Sequence, residues 1–419
     1  MAITARSLAA PARRCAAALA AAVLCAAAAP AAFAADPAPA ASPKLPKGLY
    51  GSTDPKYDGV WRQSLALLAQ DTTGVRPADS AVDWLAGQQC ADGAFTAYRA
   101  APKQPCDAKT MRDTNQTAAA VQALAAVGGH ADAVREGVSW LKSAQNDDGG
   151  WGSATGAPSD ANSTSVVIGA LAATGTKPES VTAKKGGRTP YEGLLAFRLG
   201  CDVAEKDRGA FAFQAKDGKL AANEDATAAA VLGALGKGFV VEPGAHAPEK
   251  TSCEEAAKDA GGAAGGAADQ LGAVLDAHGH HLMSAMPGAE SQADVGNTAD
   301  AVVALAAAGR ADAAKQSLSW LRGHSAAWAK QSGPAAYAQL ILAAHATGGD
   351  PRDFGGTDLV TKLNATGPKP ASAASDQQAD KEQKQDEGGV SVWWVVLVGL
   401  AAGAGIGFLL SGRRKQNQL

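Results

Sequence analysis

The sequence predicts an all-α fold, an (α/α)6 toroid of six helical hairpins, plus a C-terminal single transmembrane helix. Three observations lead there. A polar motif recurs at the start of helix-forming stretches, a Trp-Leu element recurs after them, and the run from Val390 to Leu410 is apolar throughout.

The polar motif stands as Asp113-x-Asn115-x-Thr117, Asp160-x-Asn162-x-Thr164, Asn223-x-Asp225-x-Thr227 and Asp294-x-Gly296-Asn297-Thr298. Four residues past each Thr come Val121, Ile168, Val231 and Val302; eleven past it come Gly128, Gly175, Gly238 and Gly309. Apolar residues at such offsets lie on one face of a helix, and a closing Gly is a usual C-terminal stop. The second element reads Trp84-Leu85 followed by Gln89, Asp92, Gly93 and Phe95, then Trp140-Leu141 followed by Gln145, Asp148, Gly149 and Trp151. Trp320-Leu321 opens a third copy without the Gln and Gly, and Phe197 with Phe211 marks a degenerate one.

In chain order, helices are expected at 60–69 with 79–89, 117–127 with 132–145, 164–174 with 190–199, 227–237 with 267–277, 298–308 with 312–322, and 336–346 with 357–363. A helical hairpin cannot bury its apolar stripe alone, so neighbours must stack. Six of them can close into a ring, first helices inside and second helices outside.

Residues outside 50–365 read differently. Residues 1–34 combine Arg6, Arg13 and Arg14 with an Ala/Val/Leu run and Ala32-Phe33-Ala34, the pattern of a cleaved secretory signal peptide. Residues 366–389 form a polar stalk of disordered composition. The 390–410 segment would reach roughly 31 Å as a helix, enough to cross a bilayer. Arg413, Arg414 and Lys415 in the 411–419 tail place that end in the cytoplasm. The expected location is therefore the cell membrane, single-pass, with the toroid outside.

Lys and Arg number 38 against 41 Asp and Glu, a net charge of −3, which speaks against a nucleic-acid partner. Aromatic residues make up only 5% of the chain, so much of its apolar content is small side chains, suited to closely packed helices. Cys15 and Cys25 fall within the signal peptide, leaving Cys90, Cys106, Cys201 and Cys253. An even set in an oxidising compartment reads as disulfides. Three pairings are possible, and proximity favours Cys90 with Cys106 and Cys201 with Cys253.

The stretch Trp140-Leu141…Gln145…Asp148-Gly149-Gly150-Trp151-Gly152 resembles the repeat of the squalene cyclase and protein prenyltransferase superfamily, whose fold is an α/α toroid. Thr117-Ala118-Ala119-Ala120-Val121 with Ala123-Leu124 is also similar to the helical repeats of the transcobalamin and intrinsic-factor cobalamin carriers. The resemblance implies the ring over about residues 55–365. It does not carry an activity across, because one such fold hosts several functions. The Asp-x-Asp-Asp acid of the related cyclases does not occur, and Asp147-Asp148 lacks the first Asp. The cysteines of a prenyltransferase zinc site are here accounted for as disulfides, so no cofactor is expected and catalysis is disfavoured.

The twelve motif residues Asp113, Asn115, Thr117, Asp160, Asn162, Thr164, Asn223, Asp225, Thr227, Asp294, Asn297 and Thr298 are open to two compatible readings. They cap helices, at about 1 kcal/mol each. They also form a polar collar round a cavity mouth, since parallel inner helices bring their N-termini to one rim. Asp276, His278, His280 and His281 form the densest His group and are weak metal candidates. The expected function is a membrane-tethered extracellular binder of a small molecule, a cobalamin-like one by resemblance, passed to a membrane transporter. The alternatives are a terpenoid- or prenyl-processing enzyme and a structural protein-interaction ring.

Overall fold

The computed structural model describes residues 45–247, 250–285 and 291–371. The helices are α1 (Gly59–Thr72), α2 (Asp79–Ala86), α3 (Thr114–Val127), α4 (Ala131–Ser143), α5 (Ala161–Ala173), α6 (Pro190–Leu195) and α7 (Glu224–Ala234). They continue as α8 (Cys253–Ala256), α9 (Ala260–Ala277), α10 (Val295–Ala307), α11 (Ala311–His324), α12 (Ala326–Ser332), α13 (Pro334–Ala346) and α14 (Leu359–Asn364). A short antiparallel pair, β1 (Leu282–Met283) and β2 (Ala293–Asp294), precedes α10.

The inner layer is a closed ring. α1 packs on α3, α3 on α5, α5 on α7, α7 on α10, α10 on α13, and α13 returns to α1. The outer partners α2, α4, α6, α9, α11 and α14 each pack on the inner helix of their own hairpin. Closure is also polar. Gln70 on α1 donates to Asn364 at 2.7 Å, Tyr50 Oη donates to Gln70 at 3.1 Å, and Gly51 N donates to Thr366 O at 2.8 Å. Residues 45–50 and 366–371 thus belong to the folded body, which extends beyond the expected 50–365; Leu49 and Tyr50 are buried and Ala371 N donates to Arg76 O at 3.0 Å.

All twelve expected helices are present, with one systematic shift. The inner helices α3, α5, α7 and α10 begin three residues earlier than expected. The reason is capping: Asp113, Asp160, Asn223 and Asp294 are the N-caps and accept from the N–H groups of Gln116, Ser163, Ala226 and Asn297. The motif Thr is therefore already inside the helix. α9 also begins earlier, because the Gly-rich stretch after Asp259 is helical; a Cβ on Gly262 would meet Glu255 O at 2.2 Å, so α8 lies closer than any larger residue allows.

The second element makes the joint between hairpins. Asp92 and Asp148 turn the chain, with Gly93 and Gly149 at φ +92 and +89. A Cβ at Gly149 would stand 2.3 Å from Thr189 O, so the turn needs glycine for space as well as for conformation. Gln89 donates to Gly93 O and Ala133 O, and Gln145 to Gly149 O, which holds the turn to its own helix. The disulfides pair Cys90 with Cys106 and Cys201 with Cys253, at Cα separations of 5.6 and 5.7 Å.

Among the described residues no helix is long and apolar enough to cross a membrane. The expected signal peptide (1–34), most of the stalk (366–389), the span (390–410) and the tail (411–419) lie outside the described residues.

Candidate functional site

The ring encloses a lumen of about 380 Å³. Its wall follows the helical repeat. On α3, α5, α7, α10 and α13 most lining residues fall at the second, sixth and ninth positions, one stripe per helix, with Gln116, Ser165 and Ala228 beside it; α1 adds Trp61 and Leu65. The second positions, Asn115, Asn162 and Asp225, form the rim. The sixth, Val166, Ala229, Asp300 and Gln339, form the waist, and the ninth, Gln122, Leu232, Val303 and Leu342, the floor. Rim to floor is about 10 Å, from seven residues at about 1.5 Å each.

A loop closes the far end. Residues 237–239 cross beneath the floor, where Phe239 N donates to Gln122 Oε1 at 3.0 Å and the Phe239 ring meets Trp61 edge-on at 5.4 Å. Gly238 is wedged there, since a Cβ on it would stand 2.2 Å from Gln122 Oε1. The lumen therefore opens at the N-terminal rim.

The collar residues divide into two groups. Asp113, Asn115, Asn162 and Asp225 line the lumen. The four threonines do not: Thr117, Thr164, Thr227 and Thr298 are fully buried behind the helices, which corrects the expected threonine collar. Their hydroxyls accept from Phe95 N, Trp151 N, Phe211 N and Leu282 N at 2.8, 3.0, 3.0 and 2.9 Å. Three of those N–H donors belong to the repeat's aromatic residue, and Leu282 takes that place in the fourth. The physical reason is helix geometry: residues two apart point about 200° apart, so Asn115 inward sends Thr117 outward.

Asp160, Asn223, Asp294 and Asn297 also remain outside the lumen wall. Asp160 is taken up by Ser163 N and Oγ at 2.7 and 2.8 Å, Asn223 by Ala226 N at 2.8 Å, and Asp294 by Asn297 N and Nδ2 at 3.0 and 2.8 Å. The His group does not converge. His280 faces Asp276 at 3.3 Å, His278 bonds Val274 O at 2.9 Å, and His281 stacks on Trp320 at 4.4 Å. Among the described residues no three His, Cys, Asp or Glu side chains are grouped to hold a metal ion.

The lumen holds acids in poor contact with water. Burial pushes the Asp300 carboxyl up to about 7, opposed by Gln339 Nε2, which donates to both its oxygens at 3.1 Å, and aided by the Asp225 and Asp294 carboxylates. Burial likewise raises Asp225, against the Asn162 amide that donates to it at 2.6 Å, and raises Asp113 against its capping bonds. Several oxygens have no partner: Asn115 Oδ1, Asn162 Oδ1, Gln116 Oε1 and Ser165 Oγ are buried and unbonded. Such atoms are costly, roughly 1–3 kcal/mol each, unless something outside the chain satisfies them.

Asp300, Gln339, Gln122, Trp61 and Phe239 escaped the sequence reading. Asp300 had a signal. It stands two residues past Thr298, where the other copies carry Ala119, Val166 and Ala229, so it is a carboxyl at a position otherwise apolar. The Phe239 plug had none, because it comes from a loop.

No family model matches the chain, and no curated protein matches it. Among solved structures it is similar to a protein from Actinoplanes, at 13% identity and TM-score 0.44, covering 72% of this chain and 92% of that one. It is also similar to ent-copalyl diphosphate synthase from Streptomyces platensis, at 18% identity and TM-score 0.45, covering 69% of this chain and 50% of that one.

Proposed function

We propose that this protein binds a small organic molecule in the lumen of its ring and presents it at the outer face of a membrane. The observation that carries the reading is the lumen itself: an apolar floor under a crescent of buried, unbonded oxygens is the composition of a ligand pocket, and its volume of about 380 Å³ lies in the range for one. A corrin ring with its side chains exceeds that space, so a cobalamin-like ligand would cover the mouth, and a smaller molecule fits inside. Location outside the cell is supported by the two disulfides and by the sequence of both chain ends. The exposed Tyr57, Met111 and Phe213 flank the N-terminal ends of the inner helices, on the mouth side, and suit a face where a membrane transporter receives the ligand.

The test is uptake of N-phenyl-1-naphthylamine, a neutral apolar dye, by the full chain. The wild-type protein should brighten the dye saturably, and Ala229→Leu, which fills the waist, should abolish this with the melting temperature unchanged or raised. Equal dye uptake by both proteins would contradict the reading.

One observation favours a second reading, a proton-donating enzyme on a prenyl substrate: Asp300 is an acid held near neutrality between apolar walls. Gln339 weakens it, because donors to both oxygens support the carboxylate rather than the acid. Incubation with geranylgeranyl diphosphate followed by product analysis separates the two, the binding reading requiring unchanged substrate.

A further inference from the structure

Building on the lumen as a ligand site, we infer that its ligand is an organic ammonium ion, a positively charged amine at the rim and waist with an apolar body on the floor. The first ground is a set of buried oxygens that the chain leaves without partners. Three lumen amides already donate within the chain, Asn162 Nδ2 to Asp225, Gln339 Nε2 to Asp300, and Gln122 Nε2 to Val166 O at 3.4 Å. Gln116 and Ser165, 7% and 4% exposed, both line the lumen with an unbonded Oε1 and Oγ, and the Asn162 carbonyl is unbonded although its amide is used. N–H groups on a ligand would satisfy these oxygens.

The second ground is charge. Asp113, Asp225 and Asp300 line the lumen against a single cation, Lys237, which is exposed below the floor. A carboxylate or phosphate ligand would meet three acids, whereas an ammonium meets charge-assisted acceptors, the stronger kind of hydrogen bond. The acids are spread along α3, α7 and α10, so a group with several diverging N–H bonds matches them better than a compact ion. The third ground is aromatic: Trp61 and Phe239 line the lumen with their rings in contact, and aromatic rings attract cations as well as hydrocarbon.

The experiment titrates the full chain by calorimetry with three molecules of nearly equal shape: cyclohexylmethylammonium, cyclohexylmethanol and cyclohexanecarboxylate. The ammonium should bind about tenfold or more tightly than the alcohol, the ratio expected of one added charge-assisted contact, and the carboxylate should not bind. Asp300→Asn should remove most of that ratio by weakening the ammonium. Alcohol or carboxylate binding as tightly as the ammonium overturns the ammonium assignment and leaves the lumen site standing. Binding of none of the three, with no dye uptake, overturns the site itself.

Discussion

Asn115 and Thr117 are two residues apart in one motif and have opposite fates. Thr117 is fully buried and completely bonded, accepting from Phe95 N and donating to Asp113 O at 2.7 Å. Asn115 faces the lumen with its Oδ1 unbonded. The same contrast recurs between Thr164 and Asn162. A polar residue that ends up satisfied within the chain is explained by the fold. One that ends up buried and unsatisfied is not, and water or a bound molecule is left to satisfy it.

The contrast can be broken in three places, the largest effect first. Asp300 is raised from 3.8 to about 7 in the folded protein, so the folded state holds a proton that the unfolded chain releases across that window. Stability should therefore fall as pH rises from about 4 to 7, by on the order of 4 kcal/mol for this group alone. Asp113, Asp160 and Asp225 shift in the same direction and add to the trend. Urea unfolding of the wild type and Asp300→Asn at both ends of the window reads the effect: the variant should show a shallower loss and be the more stable protein at the upper end. Parallel curves would mean that Asp300 is solvated.

Thr117→Val comes next. It keeps the shape, strands the Phe95 N–H, and should cost about 1–3 kcal/mol in the same assay, with no added pH dependence. A loss under 0.5 kcal/mol would show, on the scale of ordinary surface changes, that the joint is not what holds the hairpins together. Smallest is Asn115→Leu, which replaces an unbonded group by an apolar one and should change stability by no more than about 0.5 kcal/mol while weakening ammonium binding. If Asn115→Leu destabilised as much as Thr117→Val, both residues would be structural and the distinction between them would fall.

The ring was legible because it repeats. Each of the Asp/Asn-x-x-x-Thr starts and Asp-Gly turns is a local instruction, and copies at the same offsets supported one another. The disulfide pairing followed from proximity along the chain, at separations of 16 and 52 residues. What periodicity could not say was which helix face looks inward, since a motif with polar residues on both sides of a helix fits either orientation. That ambiguity placed the threonines in the collar. Asp300 and Gln339 are single-copy departures from the repeat, and the Gly238–Phe239 plug depends on where a loop happens to cross. Residues set apart from the repeat build much of the lumen's chemistry, so a reading tuned to repetition finds the scaffold before the site.

The most direct measurement is a crystal structure of the full chain grown with cyclohexylmethylammonium. The account predicts the nitrogen within hydrogen-bonding distance of the Asp300 carboxylate and of at least one of the Asn115, Asn162 or Gln116 oxygens, with the ring resting toward Leu232 and Val303. An empty lumen in which those oxygens have closed on partners of their own chain would contradict it.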